Sequence, residues 1–258
     1  MIKLLLSSAK SGKSSEISIE RMVRLAEYIL ETRNLRKYYR RQLVVKDVSL
    51  RVPAGSIYGL IGPNGSGKST ILKLLTGLLH PDGGEIIVFG EPWQRKHLAH
   101  IGALIESPAI YGNLTAAENL LIHTKLMGLP GGVIDEVLGT VGLKDAGKKL
   151  ASQFSLGMKQ RLGIAIALLG EPKLLILDEP TNGIDPVGIQ ELRGLIRSLS
   201  KRGITVILSS HILKEVSQVV DYIGIISDGR LKYQGKINPD EDLESLFMEV
   251  LNIEEDKK

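Results

Sequence analysis

Apolar positions along this chain fall into short continuous runs and helical stripes that take turns, punctuated by glycine, proline and asparagine. Residues 43–52 alternate imperfectly and stop at Pro53-Ala54-Gly55, which predicts a strand followed by a turn. Ile57-Tyr58-Gly59-Leu60-Ile61 is a short apolar run of the kind carried by buried strands, and a glycine-rich turn follows it. Beyond that turn Ile71, Leu72, Leu74, Leu75, Leu78 and Leu79 recur with helical spacing. Pro81-Asp82-Gly83-Gly84 then turns into a strand over 85–89. The middle of the chain, about 97–168, has helical rather than strand character, with turns at Gly112-Asn113 and Leu129-Pro130-Gly131-Gly132. Strand-like runs return at 174–177, 205–209 and 222–226, with helical segments at about 186–200 and 212–219, and Asp228-Gly229 closes a last hairpin onto 231–234. Strands alternating with helices predict an α/β fold with a mostly parallel sheet and right-handed crossovers, interrupted by the helical middle as an insertion.

Both ends depart from this pattern. Residues 1–26 are rich in Ser and Lys and finish in a weakly amphipathic stretch at Met22, Val23, Leu25 and Ala26, reading as an extension or a short surface helix. The formal net charge of +4, from 33 Lys+Arg against 29 Asp+Glu, hides a gradient. Residues 1–41 carry ten basic and four acidic side chains, a balance of +6, whereas 240–258 carry eight acidic and two basic, a balance of −6. The acidic end reads either as a contact or regulatory segment or as a solvated one. The basic residues are dispersed, and with three Phe and one Trp there is little from which to build base-stacking platforms, so nucleic acid is excluded as a partner. The absence of cysteine excludes a disulfide framework, thiolate zinc sites and cysteine nucleophiles. No stretch approaches the ~18 consecutive apolar residues of a membrane span. Leu4-Leu5-Leu6 is about half of what a signal-peptide core needs.

Two motifs carry chemistry. Gly62-Pro63-Asn64-Gly65-Ser66-Gly67-Lys68-Ser69, continued by Thr70, fits G-x-x-x-x-G-K-[ST] and stands between a predicted strand and a predicted helix. Glycines let such a loop aim successive N–H groups at phosphate oxygens, and the helix N-terminus adds its partial positive charge. Lys68 is placed to bridge outer phosphates, and the Ser69 hydroxyl is a hard oxygen ligand for Mg²⁺. Gly12-Lys13-Ser14 imitates half of the motif, but Ser7 stands where its first glycine is required. The run Leu174-Leu175-Ile176-Leu177 ends in Asp178-Glu179, at the strand terminus where parallel sheets hold ligands. Adjacent strand residues point oppositely, so the acids are expected to divide the work: Asp178 on the metal, Glu179 on the attacking water.

With these residues in place, the sequence resembles the ATP-binding subunit of an ABC transporter over roughly residues 28–240. Phe154-Ser155-Leu156-Gly157-Met158, followed by Lys159-Gln160-Arg161, is similar to the family signature L-S-G-G-Q, keeping its serine and second glycine. The resemblance implies a P-loop NTPase cassette over 27–238, with an N-terminal antiparallel β subdomain and the helical subdomain inserted at about 97–168. The 1–26 extension and the 239–258 acidic tail flank it. It implies ATP and Mg²⁺ as cofactors, adenine stacking on Tyr39 with Tyr38 as its neighbour, and Ser155 and Gly157 facing the ATP of an opposite cassette. Asp185, in Asn182-Gly183-Ile184-Asp185, falls in the loop that couples the two sites, and it also suits the cap of a helix opened by Pro186. His211 matches the histidine that senses the terminal phosphate, whereas His80, His97, His100 and His123 are expected on the surface. Glu106 stands where the family has a glutamine, keeping an oxygen ligand for Mg²⁺ but adding a charge. That exchange, with Ile105-Glu106-Ser107-Pro108 and Tyr111-Gly112-Asn113-Leu114-Thr115-Ala116, resembles the lantibiotic-immunity and bacitracin-resistance exporters, the alternative being an incidental exchange in another ABC-2-type exporter of a drug, lipid or polysaccharide. The implied partners are a second cassette in a head-to-tail dimer, most simply a homodimer, and an integral-membrane permease. The permease would hold the chain on the inner, cytoplasmic face of the membrane.

Overall fold

The computed structural model describes residues 27–238 and 242–252; the 1–26 extension and parts of the acidic tail (239–241 and 253–258) lie outside the described residues. Among the described residues the strands form two sheets. The first is antiparallel. Its long strand β1 (Tyr28–Tyr39) pairs on one side with β2 (Gln42–Val48) and β3 (Arg51–Pro53), and on the other with β5 (Gly83–Val88), which carries the short β6 (Glu91–Pro92). The second sheet runs β11 (Arg230–Lys236), β10 (Tyr222–Ser227), β4 (Ile57–Ile61), β9 (Thr205–Ser210), β8 (Leu174–Leu177), β7 (Ile101–Leu104). All its pairings are parallel except the edge hairpin β10–β11, which turns at Asp228-Gly229 with φ of +47° and +74°.

Alternation along the parallel strands divides the interior into two cores. Tyr58, Leu60, Leu174, Ile176 and Ile207 pack with the antiparallel sheet and with α1 (Lys68–Leu75). Ile57, Ile61, Leu175, Leu177, Val206 and Leu208 face the opposite core, shared with the inserted helices and with α5 (Pro186–Lys201). Strands covered on both faces read as unbroken apolar runs. This is why 57–61 and 174–177 are legible as buried strands.

The inserted helices are α2 (Ala116–Met127), α3 (Val133–Thr140) and α4 (Leu156–Leu168). Thr115 caps α2 in a reciprocal box with Glu118, and Gly128 ends it in the left-handed conformation. The stretch expected to be helical from 97 opens instead with a 3-10 turn at Arg95–His100 and the strand β7, which pairs with β8 from Ile101 to Leu104. Four apolar residues are too few for periodicity to separate strand from helix. Gly102 is required there because α4 crosses closely: a Cβ on it would stand 2.2 Å from the Ala167 carbonyl oxygen.

Of the acidic tail, residues 243–252 form helix α7 (Leu243–Asn252). Leu243 is buried, and Leu246, Phe247 and Val250 pack against the same core as the short α6 (Leu213–Val216). The charges occupy the other faces of this helix. Among the described residues no helix is long and apolar enough to cross a membrane.

Candidate functional site

Residues 62–69 leave β4 and enter α1, so the phosphate-binding pattern lies on the strand, turn and helix it requires. A Cβ on Gly62 would come within 2.1 Å of the Ile226 carbonyl oxygen, and Gly67 caps α1 with φ of +107°, a conformation only glycine adopts cheaply. Lys68 is buried; its Nζ donates to the carbonyls of Gly62 (2.8 Å) and Pro63 (3.1 Å) and lies 3.7 Å from Glu179 Oε1. Burial pushes the Lys68 ammonium below its usual pKa, while Glu179 and Asp178 pull it back up. Ser66 Oγ is buried without a hydrogen-bond partner, a cost that an acceptor-rich ligand would remove.

The two acids diverge by a different device from the strand pleat. β8 ends at Leu177, and Glu179 takes a left-handed φ of +46°, which for a non-glycine residue costs roughly 1–3 kcal/mol. Asp178, buried, accepts from Ser69 Oγ (3.1 Å) and Ser209 Oγ (2.6 Å), both on Oδ1. The Glu179 N–H donates to the same Ser209 hydroxyl at 2.8 Å, holding the turn. Glu179 Oε2 then lies 3.1 Å from His211 Nδ1, close but without an aligned hydrogen bond. Ser69 and Asp178 thus present two hard oxygens side by side. Mg²⁺ is commonly held by one or two protein oxygens together with substrate phosphates, so this donor set suits it. Among the described residues no three His, Asp or Glu side chains converge on an all-protein metal cage.

Glu106, the third expected metal ligand, pairs with a lysine of α1. It follows β7 with φ of +62°, is two-thirds exposed, and its Oε1 stands 2.5 Å from Lys73 Nζ on α1. The pair holds the Glu106 carboxyl below the usual range and raises Lys73. Tyr39 ends β1 half exposed, and Tyr38 is equally exposed.

Ser155 is the cap of α4, its Oγ accepting from Met158 N at 3.3 Å, so the helix begins at Leu156. Asp185 caps α5, accepting from Gly188 N at 2.9 Å, with Pro186 in the first turn. These hydrogen bonds lie within the two helix starts and do not reach the phosphate loop of the same chain.

Two residues of the site have no motif to announce them. Ser209 and Lys73 join it through contacts 31 and 33 residues apart in sequence, and the only prior signal was that Ser209-Ser210 ends a strand before His211. The expectation for His97 is overturned: it is buried rather than on the surface. Its ring sits edge-on to Phe89 at 5.9 Å, and its Nδ1 accepts from Gln94 N at 3.2 Å. His123 is partly buried, with Nε2 lacking a partner and its pKa pushed down by burial.

Comparison with known proteins agrees with this arrangement. The family model described as ABC transporter matches residues 45–182. The lantibiotic transport ATP-binding protein SrtF of Streptococcus pyogenes is 48% identical over 219 residues, covering 85% of this chain and 96% of the relative. The bacitracin transport ATP-binding protein BcrA of Bacillus licheniformis is 52% identical over 208 residues, covering 79% of this chain and 68% of the relative. A solved structure described as the ATP binding subunit of an ABC transporter superposes with a TM-score of 0.76 at 31% identity, covering 86% of this chain and 99% of that one. Family match, sequence relatives and fold agree with the phosphate loop and the acids beside it: the chain belongs to the ABC transporter family, as an ATP-binding and ATP-hydrolysing subunit.

Proposed function

We propose that this ATPase powers export of a peptide antibiotic through a separate membrane permease, protecting the cell that carries it. The observation that supports this cargo best is the similarity, over about four fifths of the chain, to proteins named for lantibiotic and bacitracin transport. The reading of the site rests on the meeting of Lys68, Ser69, Asp178, Glu179 and His211 at the carboxyl ends of β4, β8 and β9.

In this reading the backbone of residues 62–70 wraps the phosphates and Lys68 supplies the positioned cation. Tyr39 offers its exposed ring to adenine. Ser69 and Asp178 would hold Mg²⁺, which when bound would offset the charge of the outer phosphates. Glu179 takes the proton of the attacking water, and His211 steadies that carboxylate while facing the terminal phosphate. Glu106 borders this site as an oxygen donor balanced by Lys73. Ser155, Gly157 and the free N–H groups of the first turn of α4 face the ATP of a second copy, and Asp185 lies in the segment between the two sites. Two copies then close head to tail around two nucleotides, each completing the other's site. ATP stabilises the closed dimer, hydrolysis releases it, and the permease converts the shift into alternating access at the inner face of the membrane.

Expressing the chain with its own permease in a sensitive bacterium tests the cargo. Resistance to a lanthionine peptide or to bacitracin should rise with the wild-type pair and vanish with Lys68→Ala. Permease-stimulated ATPase without protection against either class of peptide would contradict the proposal.

A further inference from the structure

The starts of α4 and α5 are interlocked by two apolar side chains and three glycines. Leu156, the first residue of α4, leans over the bend at Gly183, where φ is +73° and a Cβ would stand 2.9 Å from Leu156 Cδ2. Ile184, the next residue, fills the reverse notch: its Cγ2 would lie 3.4 Å from a Cβ on Gly157 and 2.5 Å from one on Gly188. Each segment thus lays a side chain on the other's backbone. Ile184 is buried and joins the core of Phe154 and Leu192, which anchors the contact, whereas Leu156 stays 44% exposed.

A leucine beside the Ser155 cap supplies neither a capping oxygen nor a charge for the helix dipole. Packing therefore accounts for its presence. Contacts at van der Waals distance resist relative displacement steeply, and closely packed groups transmit movement rather than absorb it.

We propose that Leu156 is a positioning residue: seated on Gly183, it holds the Ser155 cap of α4 and the Asp185 cap of α5 in fixed register, so that both helix starts advance on the partner's nucleotide as one body. This rests on the reading of Ser155 and Gly157 as contacts to the opposite ATP. With a glycine at 156, the α4 start would keep its cap but lose its seat on the loop.

The test compares Leu156→Gly, Leu156→Met and the unsubstituted full-length chain, measuring ATP affinity, kcat, KM for magnesium-ATP and melting temperature. Leu156→Gly should lower kcat about tenfold, equivalent to about 1.4 kcal/mol in the barrier. Its ATP affinity and melting temperature should stay close to the wild type's. Leu156→Met, which can still cover Gly183, should restore kcat. Leu156→Ala combined with Ile184→Val should slow turnover less than the two single effects predict, because both loosen the same junction between the two helix starts. Unchanged kcat in Leu156→Gly overturns the proposal. So does a loss of kcat accompanied by equal losses of ATP affinity and melting temperature, which would mark a general structural role. If the unsubstituted chain fails to turn ATP over, the reading of the whole site falls, and this proposal with it.

Discussion

A carboxylate at position 106 brings an extra negative charge to the edge of a site that already holds Asp178 and Glu179, and Lys73 is the residue that answers it. The Lys73 ammonium also feels Asp178, so it belongs to the electrostatics of the site as well as to the pair. An exposed ion pair contributes little to folding stability. Its effect is therefore expected in nucleotide binding, where a triphosphate would meet an uncompensated Glu106. Lys73→Met should raise KM for magnesium-ATP at low ionic strength, and adding Glu106→Gln should bring it back toward the wild-type value. The melting temperature should not follow either change. Equal KM for the wild type and Lys73→Met would remove Lys73 from the account. The contrast with the phosphate loop is instructive about what a sequence can tell. Residues 62–69 form a contiguous string whose chemistry is dictated by backbone approach to phosphate, so each could be assigned from order alone. Lys73 and Ser209 act only because the fold brings α1 beside the residue after β7, and β9 beside the end of β8. No local pattern encodes such meetings.

Elements were legible where burial is two-sided and punctuation is strong, as in β4, β8 and the Asp228-Gly229 hairpin. They were obscured where one signal masked another. β7 is a four-residue apolar run inside helical text, and only pairing with β8 decides its state. In α7 a net negative composition hid the positions 243, 246, 247 and 250, whose i, i+3, i+4, i+7 spacing is that of an amphipathic helix. The divergence of Asp178 and Glu179 was expected from a strand pleat, yet it comes from a left-handed turn at Glu179 held by Ser209. The docking of α7 has a measurable consequence. Leu243→Ala removes a buried side chain and should lower the unfolding free energy by about 2–4 kcal/mol in urea titration, as buried Leu truncations do. A loss below about 0.5 kcal/mol, the size typical of exposed positions, would mean that the segment is solvated rather than docked.

For the whole molecule, the six-stranded sheet separates two cores and gathers the chemistry at one of its edges. β4 delivers the phosphate loop, β8 the acids, β9 Ser209 and His211, and β7 leads to Glu106, all at carboxyl ends of parallel strands. The starts of α4 and α5, by contrast, are closed by local capping bonds and, among the described residues, share no side-chain hydrogen bond with this cluster. The central claim is that Glu179 is the base that splits ATP at this edge. The most direct measurement is magnesium-dependent ATP turnover by the wild type and by Glu179→Gln, with ATP binding and association state followed in parallel. The account predicts turnover in the wild type and a loss of about 10²–10⁴-fold in Glu179→Gln, the range for a positioned base, with ATP still bound and a dimer formed in its presence. Hydrolysis by Glu179→Gln at the wild-type rate would contradict it.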